Sequence, residues 1–375
     1  MGASEGARHA QIQVMVVDDS AVVRGLLTRT LESDPLIKVA ASVGNGSMAL
    51  AALDRAEIEV VILDVEMPVM DGLTALPKLI QARPGIQVVM ASTMTRKNAA
   101  VSLKALAAGA ADYIAKPSSN RELNSAEDFK RELVGKVKAL AIAARASRGL
   151  PMPRAREPVA AEPSPARPHG GRPIRLRDAP ILAPAIIGIG SSTGGPQALL
   201  TLLSSFAATV NLPILVTQHM PAMFTTILAE HLAQACGIPA AEAQDGEPVA
   251  ARRIYVAPGD FHMTVELENA RKVVRLSKGP PENYCRPSVD PMLRSLARVY
   301  GGHVLAVILT GMGQDGLRGA EAVAAAGGAV VAQDQATSVV WGMPGAAATA
   351  GLCNAVLPLP EIAAYIRKLV LRSAA

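Results

Sequence analysis

The sequence predicts an α/β protein of two domains, each holding its strands in a mostly parallel sheet. Three observations predict it. Between residues 12 and 147 short β-branched runs alternate with helix-length segments, residues 148–184 turn proline-rich and lose all helical or strand period, and from residue 185 the alternation resumes. Strands that alternate with helices call for crossover connections, parallel pairing and helices on both sheet faces.

In the first domain the strands are QVMVV, KVAASV, VVILD, QVVMA and DYIA, each followed by a helix-length segment. The fifth helix is predicted to begin near Asn124, where SAED gives a capping-box start, and to end around Ser147-Arg148-Gly149. Nine prolines fall between residues 151 and 184. Such a chain buries too little apolar surface to offset its ordering, so residues 148–184 are expected as an exposed, semi-extended linker. The second domain, residues 185–375, carries AIIGIG, LPILVTQ, RIYVAPG, HVLAVILTG and GAVVAQ as strands, with FTTILAEHLAQAC and GLRGAEAVAAAG as helices among them. YVAPGDFHMTVELENARKVVRLS departs from this rhythm and is expected as an antiparallel hairpin. The second domain is therefore doubly wound and mostly parallel, with one antiparallel excursion.

Composition agrees. Aromatic residues are only 3% and hydrophobic residues 50%, so the cores are built from Ala, Val, Leu and Ile, which favours close-packed α/β layers over an aromatic-rich sandwich. The formal charge of +5 comes from scattered arginines, without a basic block or interleaved aromatics, and no nucleic-acid partner is expected. Cys236, Cys285 and Cys353 fit no metal-ligand spacing and are expected as reduced structural thiols. No apolar run of 18 residues exists and the N-terminal MGASEGARHAQ has no apolar core, so membrane insertion is not expected and a cytoplasmic location is.

The first domain gathers charge at one end of its sheet. MVVDDS ends the first strand and VILDVEMP the third, which brings Asp18, Asp19 and Asp64 to the carboxyl ends of neighbouring strands, where open α/β sheets hold their sites. Crowded carboxylates repel one another unless a hard cation sits between them, and oxygen-only ligation suits Mg²⁺. The fourth strand adds the hydroxyl of Ser92, with Thr93 as competitor, and the fifth adds the ammonium of Lys116. A cation, a hydroxyl and a fixed ammonium around one carboxylate form a phosphoryl-accepting site. The ordinary alternative has Asp18 and Asp19 capping a helix and Lys116 on a loop, but five such residues at the right ends of four strands argue against it.

Through DDS, LDVEMPVMDG, the strand-four Ser and the KP pair, this half resembles the receiver domain of two-component response regulators over nearly its whole length. The resemblance implies a flavodoxin-like (βα)5 fold, Asp64 as the residue phosphorylated by a histidine kinase, and Tyr113 as the aromatic whose rotamer reports the state. It also implies Mg²⁺ held by Asp18, Asp19, Asp64 and the backbone carbonyl of Glu66.

In the second domain IIGIGSSTGGPQALL runs from a strand through a glycine turn into a helix. A dinucleotide fingerprint fails, because position 193 is Thr and the next strand ends in Gln218-His219 with no acid for a ribose. Taken as G-x-S-x-G, the turn puts Ser192 at a strand-to-helix elbow, with helix N–H groups available to an oxyanion. A serine needs a base. Of six histidines, His9 lies in the tail, His169 in the linker, His231 within a helix, His303 at the wrong end of its strand, and His262 in the hairpin, where a surface role is expected. His219 ends a parallel strand on the Ser192 rim. Asp315, in the glycine-rich loop after HVLAVILTG, is the candidate orienting acid, and Asp334, after GAVVAQ, is its competitor.

Through GSSTGG, TQHMP, YVAPGDFHM, RPSVDPM, LTGMGQDG and WGMPGAA, residues 185 to about 370 resemble the catalytic domain of the chemotaxis protein-glutamate methylesterase family. The resemblance implies a triad of Ser192, His219 and Asp315, with no cofactor for the esterase step. It implies hydrolysis of glutamyl methyl esters and deamidation of glutamine on the cytoplasmic helices of chemoreceptors. Oxyanion candidates are the N–H of Thr193 and the loop at Met312. The alternative is a receiver-controlled serine hydrolase or binding module in a non-chemotaxis pathway. Because the joint permits rigid-body movement, the unphosphorylated first domain is expected to cover part of the Ser192 rim.

Overall fold

The computed structural model describes residues 11–93, 95–116, 123–153, 174–178, 180 and 182–371, and divides the chain into compact units 1–166 and 167–375. The first unit holds β1 (Ile12–Val17), β2 (Ile37–Val43), β3 (Val60–Asp64), β4 (Gln87–Ser92) and β5 (Asp112–Ala115) in a parallel sheet of order β2-β1-β3-β4-β5. Between them run α1 (Ala21–Glu32), α2 (Gly46–Leu53), α3 (Gly72–Ala82) and α4 (Arg96–Ala107), and α5 (Leu123–Ser147) closes the unit. Every residue of β3 is buried, which is why VVILD shows no alternation of apolar and polar residues. Helix starts are written locally: Ser20, Asn45, Asp71 and Thr95 each accept the backbone N–H three residues on. The fifth helix begins at Leu123, next to the expected Asn124, but Ser125 lies inside it rather than before it, so SAED is not its capping box.

The second unit is built on a seven-stranded parallel sheet of order β14-β13-β12-β6-β7-β9-β8. Its strands are β6 (Ile186–Ser191), β7 (Ile214–Gln218), β8 (Ala240–Glu242), β9 (Ile254–Val256), β12 (Val304–Ile308), β13 (Ala329–Gln333) and β14 (Ala355–Leu357). Its helices are α6 (Gly195–Phe206), α7 (Phe224–Cys236), α8 (Val289–Tyr300), α9 (Leu317–Ala325), α10 (Met343–Thr349) and α11 (Leu359–Leu371). The two edge strands β8 and β14 are three residues each and too short to display a period, so sequence reasoning missed them. The antiparallel excursion is β10 (His262–Glu268) paired with β11 (Arg271–Ser277) through left-handed Asn269 and Ala270.

His262 corrects an expectation. It is 4% exposed, with Nε2 3.0 Å from the Pro280 carbonyl oxygen and Nδ1 accepting the N–H of Ser288, because β10 packs against α8 rather than lying in solvent. The ends of the linker, though mostly exposed, are anchored. Arg145 of α5 binds the Pro151 carbonyl, while in the second unit Arg177 N–H bonds Cys353 O and its guanidinium bonds Gly328 O and Ala324 O. Both ends of residues 148–184 are therefore tied down by carbonyls that arginine donors satisfy; the proline-rich stretch 154–173, with His169, and His9 lie outside the described residues.

Candidate active site

Both sheets reverse their strand order at one point, and carboxyl ends on either side of such a reversal flank a crevice. In the second unit the chain winds from β6 toward β7, β9 and β8, and separately through β12 toward β13 and β14. The reversal lies between β6 and β12, so the loops after β6, β7 and β12 share one rim.

The elbow after β6 separates two adjacent serines. Ser191 ends the strand fully buried with its hydroxyl on Gln218 Oε1 at 2.7 Å, whereas Ser192 is the one residue of 191–196 that is not buried. Gly194 takes φ 76° to turn the chain into α6, a conformation that a side chain disfavours. Gln218 spans the site from below: its Nε2 donates to the carbonyls of Ser192 at 2.9 Å and His219 at 3.2 Å. Gly311, in the loop after β12, lies so close that a Cβ there would stand 2.9 Å from Ser192 Cβ. Met312 follows it. Thr193 is buried, and its carbonyl accepts the Thr310 hydroxyl at 2.9 Å.

His219 and Asp315 meet directly. His219 Nε2 is 2.7 Å from Asp315 Oδ2, with the imidazole 12% and the carboxylate 1% exposed. Asp315 also accepts from Ser288 Oγ, Asn283 Nδ2 and the N–H groups of Val289, Asp290 and Gly316. Ser288 stands at the N-cap of α8 but gives its hydroxyl away, and the Asp315 carboxylate caps the helix in its place. Burial works against this carboxylate, yet the His219 and helix hydrogen bonds outweigh it and hold its pKa at about 2. Burial likewise opposes an imidazolium, but Cys285 and Asp315 prevail and raise the His219 pKa above the ordinary value. The other ring nitrogen, Nδ1, lies 3.3 Å from Cys285 Sγ. Among the described residues the Ser192 hydroxyl makes no hydrogen bond to His219. Asp334 is occupied elsewhere, accepting Thr337 N–H and Oγ1 in its own turn.

Ser288, Asn283, Asp290, Gln218 and Cys285 escaped sequence reasoning. A signal existed for two of them: Ser-Val-Asp-Pro before an apolar run is a helix-start pattern, and a helix start aims N–H groups at an acid. Nothing local marks the other three.

In the first unit the reversal lies between β1 and β3, where Asp18, Asp19 and Asp64 hold carboxylate oxygens within 4.8 Å of one another. Lys116 Nζ reaches Asp18 Oδ2 and Asp64 Oδ1, each at 2.6 Å. One ammonium does not balance three carboxylates: burial raises the Asp64 pKa, Lys116 lowers it, and Asp18 raises it again. The oxygen-only donor set and its excess negative charge fit a hard divalent cation. Asp18 and Asp19 do not cap α1, since Ser20 does; Asp18 Oδ1 accepts Ser20 N–H. The Glu66 side chain points to Lys97 at 2.8 Å. Ser92 is buried and its hydroxyl accepts from Ser102 of α4 at 3.1 Å, while Thr93 accepts from Asn98. Tyr113 is buried, with Lys136 Nζ 4.9 Å from its ring centroid and 2.6 Å from its carbonyl oxygen.

Known proteins match both halves. The family described as CheB methylesterase matches residues 187–366, and the response regulator receiver domain matches residues 14–127. A protein-glutamate methylesterase/protein-glutamine glutaminase of Paramagnetospirillum magneticum is 62% identical over 96% of this chain and 97% of its own length. One of the same name from Azospirillum brasilense is 57% identical over 97% of this chain and 94% of its own. The crystal structure of the Thermotoga maritima CheB methylesterase catalytic domain is 41% identical, covers 50% of this chain and all of its own, and has a TM-score of 0.49. With identity this high along nearly the whole length, the chain belongs to the CheB methylesterase family and carries that family's receiver domain at its N-terminal end.

Proposed function

We propose that this chain hydrolyses glutamyl methyl esters, and deamidates glutamine, on the cytoplasmic helices of chemoreceptors, under control of phosphorylation at Asp64 by a chemotaxis histidine kinase. The observation that carries the chemistry is the contact of part-buried His219 with buried Asp315 beside Ser192, the one residue of its elbow that is not buried. The receiver spans residues 12–147 and the catalytic domain residues 185–375, joined by 148–184, and the protein works in the cytoplasm. No helix among the described residues is long and apolar enough to cross a membrane.

In this reading the Ser192 hydroxyl attacks the γ-carbonyl carbon while its proton passes to Nδ1 of His219. Nδ1 takes the proton because Asp315 engages Nε2. Asp315 keeps one tautomer and stabilises the imidazolium that forms. The oxyanion is met by the Thr193 N–H and the Met312 loop. His219 then protonates the departing methanol, or ammonia from an amide, and water hydrolyses the acyl-enzyme by the same proton route. No cofactor enters these steps.

At the receiver site Asp18, Asp19, Asp64 and the Glu66 carbonyl would hold Mg²⁺, which supplies charge neutralisation for a phosphoryl group. Lys116 pairs with Asp64 from the other side, Ser92 serves as the strand-four hydroxyl and Tyr113 as the aromatic reporter. The test is methanol release from methylated receptor membranes: Ser192→Ala abolishes it with folding intact, while Ser191→Ala, which loses only its bond to Gln218, lowers it modestly. Inactivity of the Ser191 variant with activity retained at Ser192→Ala would overturn the assignment.

A further inference from the structure

The turn Glu282–Cys285 stands beside the His219–Asp315 pair, and the chemistry above makes no use of it. Its centre is two consecutive left-handed residues, Asn283 with φ 53° and Tyr284 with φ 61°. Reciprocal backbone bonds close it, Glu282 N to Cys285 O at 3.2 Å and Cys285 N to Glu282 O at 2.9 Å. Left-handed backbone is costly for a bulky residue such as tyrosine and persists only where neighbours over-determine it. The neighbours here are specific. Arg294 Nη2 binds both carboxylate oxygens of Glu282, at 2.7 and 2.9 Å, and Asn283 Nδ2 bridges Asp290 Oδ2 and Asp315 Oδ1, each at 2.9 Å.

A turn fixed in this way delivers Cys285 Sγ to 3.3 Å from His219 Nδ1. Asp315 already occupies Nε2, so in the neutral ring that acts as base Nδ1 carries the one remaining lone pair, and that lone pair accepts a single proton donor. Cys285 S–H and Ser192 O–H therefore compete for the same atom. In the structure Cys285 Sγ stands in that position, 3.3 Å from Nδ1.

Resting on the assignment of Ser192 and His219 given above, we infer that the turn 282–285 is a clamp on the catalytic pair: Asn283 holds Asp315, and Cys285 occupies Nδ1 of His219 and has to be displaced before Ser192 gives up its proton. Cys285 is thus a positioning residue that restrains turnover, and it does so through His219 without touching the substrate. The proton count is unchanged by its release, since the thiol keeps its hydrogen and Nδ1 becomes free to take the one from Ser192.

The experiment compares kcat/KM for methanol release by the full-length chain, wild type against Cys285→Ala, Cys285→Ser and Ser192→Ala, together with ¹⁵N spectra of histidine-labelled protein recorded on the alkaline limb, where His219 is neutral. Removing the competing donor in Cys285→Ala raises kcat/KM about fivefold, the scale of one ordinary hydrogen bond. It also moves the His219 Nδ1 resonance toward that of an unbonded ring nitrogen. Cys285→Ser restores a donor and reverses both changes, which a merely space-filling role for residue 285 would not do. An alanine variant no faster than wild type, with Ser192→Ala inert, overturns the clamp and leaves the triad standing. A wild-type Nδ1 resonance already at the unbonded position overturns it without any variant. Methanol release that survives Ser192→Ala removes the nucleophile assignment and the clamp with it.

Discussion

Asp64 and Asp315 occupy equivalent places in two parallel sheets, at or just beyond a strand end beside the point where strand order reverses, yet their surroundings are opposite. Asp315 accepts from six donors, counting His219, Asn283, Ser288 and the N–H groups of Val289, Asp290 and Gly316. Asp64 has the Val65 N–H and the Lys116 ammonium, and two further carboxylates as neighbours. Donors drive the first pKa down to about 2, while burial and Asp18 help to raise the second. The lesson concerns lone pairs. A saturated carboxylate orients a partner and does no chemistry itself, whereas an under-satisfied one keeps lone pairs for a cation or a phosphorus atom.

The sharpest way to break this comparison is Asp315→Asn. An amide cannot hold the His219 tautomer or stabilise its cation, so turnover should fall about 10⁴-fold with the fold retained. Near-normal methanol release from this variant would show that saturation serves packing alone. Next in size is Asp64→Asn, which should leave basal activity in place and remove all stimulation by a small-molecule phosphodonor. A companion fragment, residues 174–375, should outpace the unphosphorylated full chain if the receiver covers the rim. It has to begin before Arg177, whose guanidinium bonds the carbonyls of Gly328 and Ala324. A fragment no faster than the full chain would leave allosteric improvement or receptor recruitment as the mode of activation.

Smaller effects sharpen the contrast. Ser288→Ala removes one of the six donors to a buried anion and should cost roughly 1.5–3 kcal/mol in urea unfolding of the catalytic domain. Ser102→Ala, which loses a bond between two neutral hydroxyls in the first unit, should cost about 1 kcal/mol or less. Equal costs would remove the electrostatic account of Asp315. The pH profile gives the smallest effect. His219 acts as base only when neutral, and its raised pKa keeps it protonated beyond the ordinary value of 6.5. kcat/KM should therefore climb with pH along a limb on the alkaline side of 6.5, and Asp315→Asn should move the residual limb to lower pH. A limb below 6.5 in the wild type would mean that burial outweighs the two neighbours.

What the residues determined by themselves is what depends on local period and on strand ends. VVILD, AIIGIG and HVLAVILTG are apolar runs long enough to be strands. A charged or hydroxylic residue just beyond such a run sits at a sheet rim whatever the strand order, which is why Asp18, Asp64, Lys116, Ser192 and His219 were legible. The choice between Asp315 and Asp334 was not, because both follow strands on the same rim. Only the packing of α8 against the β12 loop decides it, by filling the lone pairs of Asp315 while Asp334 closes its own turn. His262 was misjudged for a related reason: solvent exposure depends on what packs over a segment, and α8 reaches this residue from distant sequence. The tertiary structure also chose which imidazole nitrogen faces the acid. Ring orientation follows from the positions of Asp315 and Cys285 in space, 96 and 66 residues from His219 along the chain, and no local pattern encodes a distance of that kind.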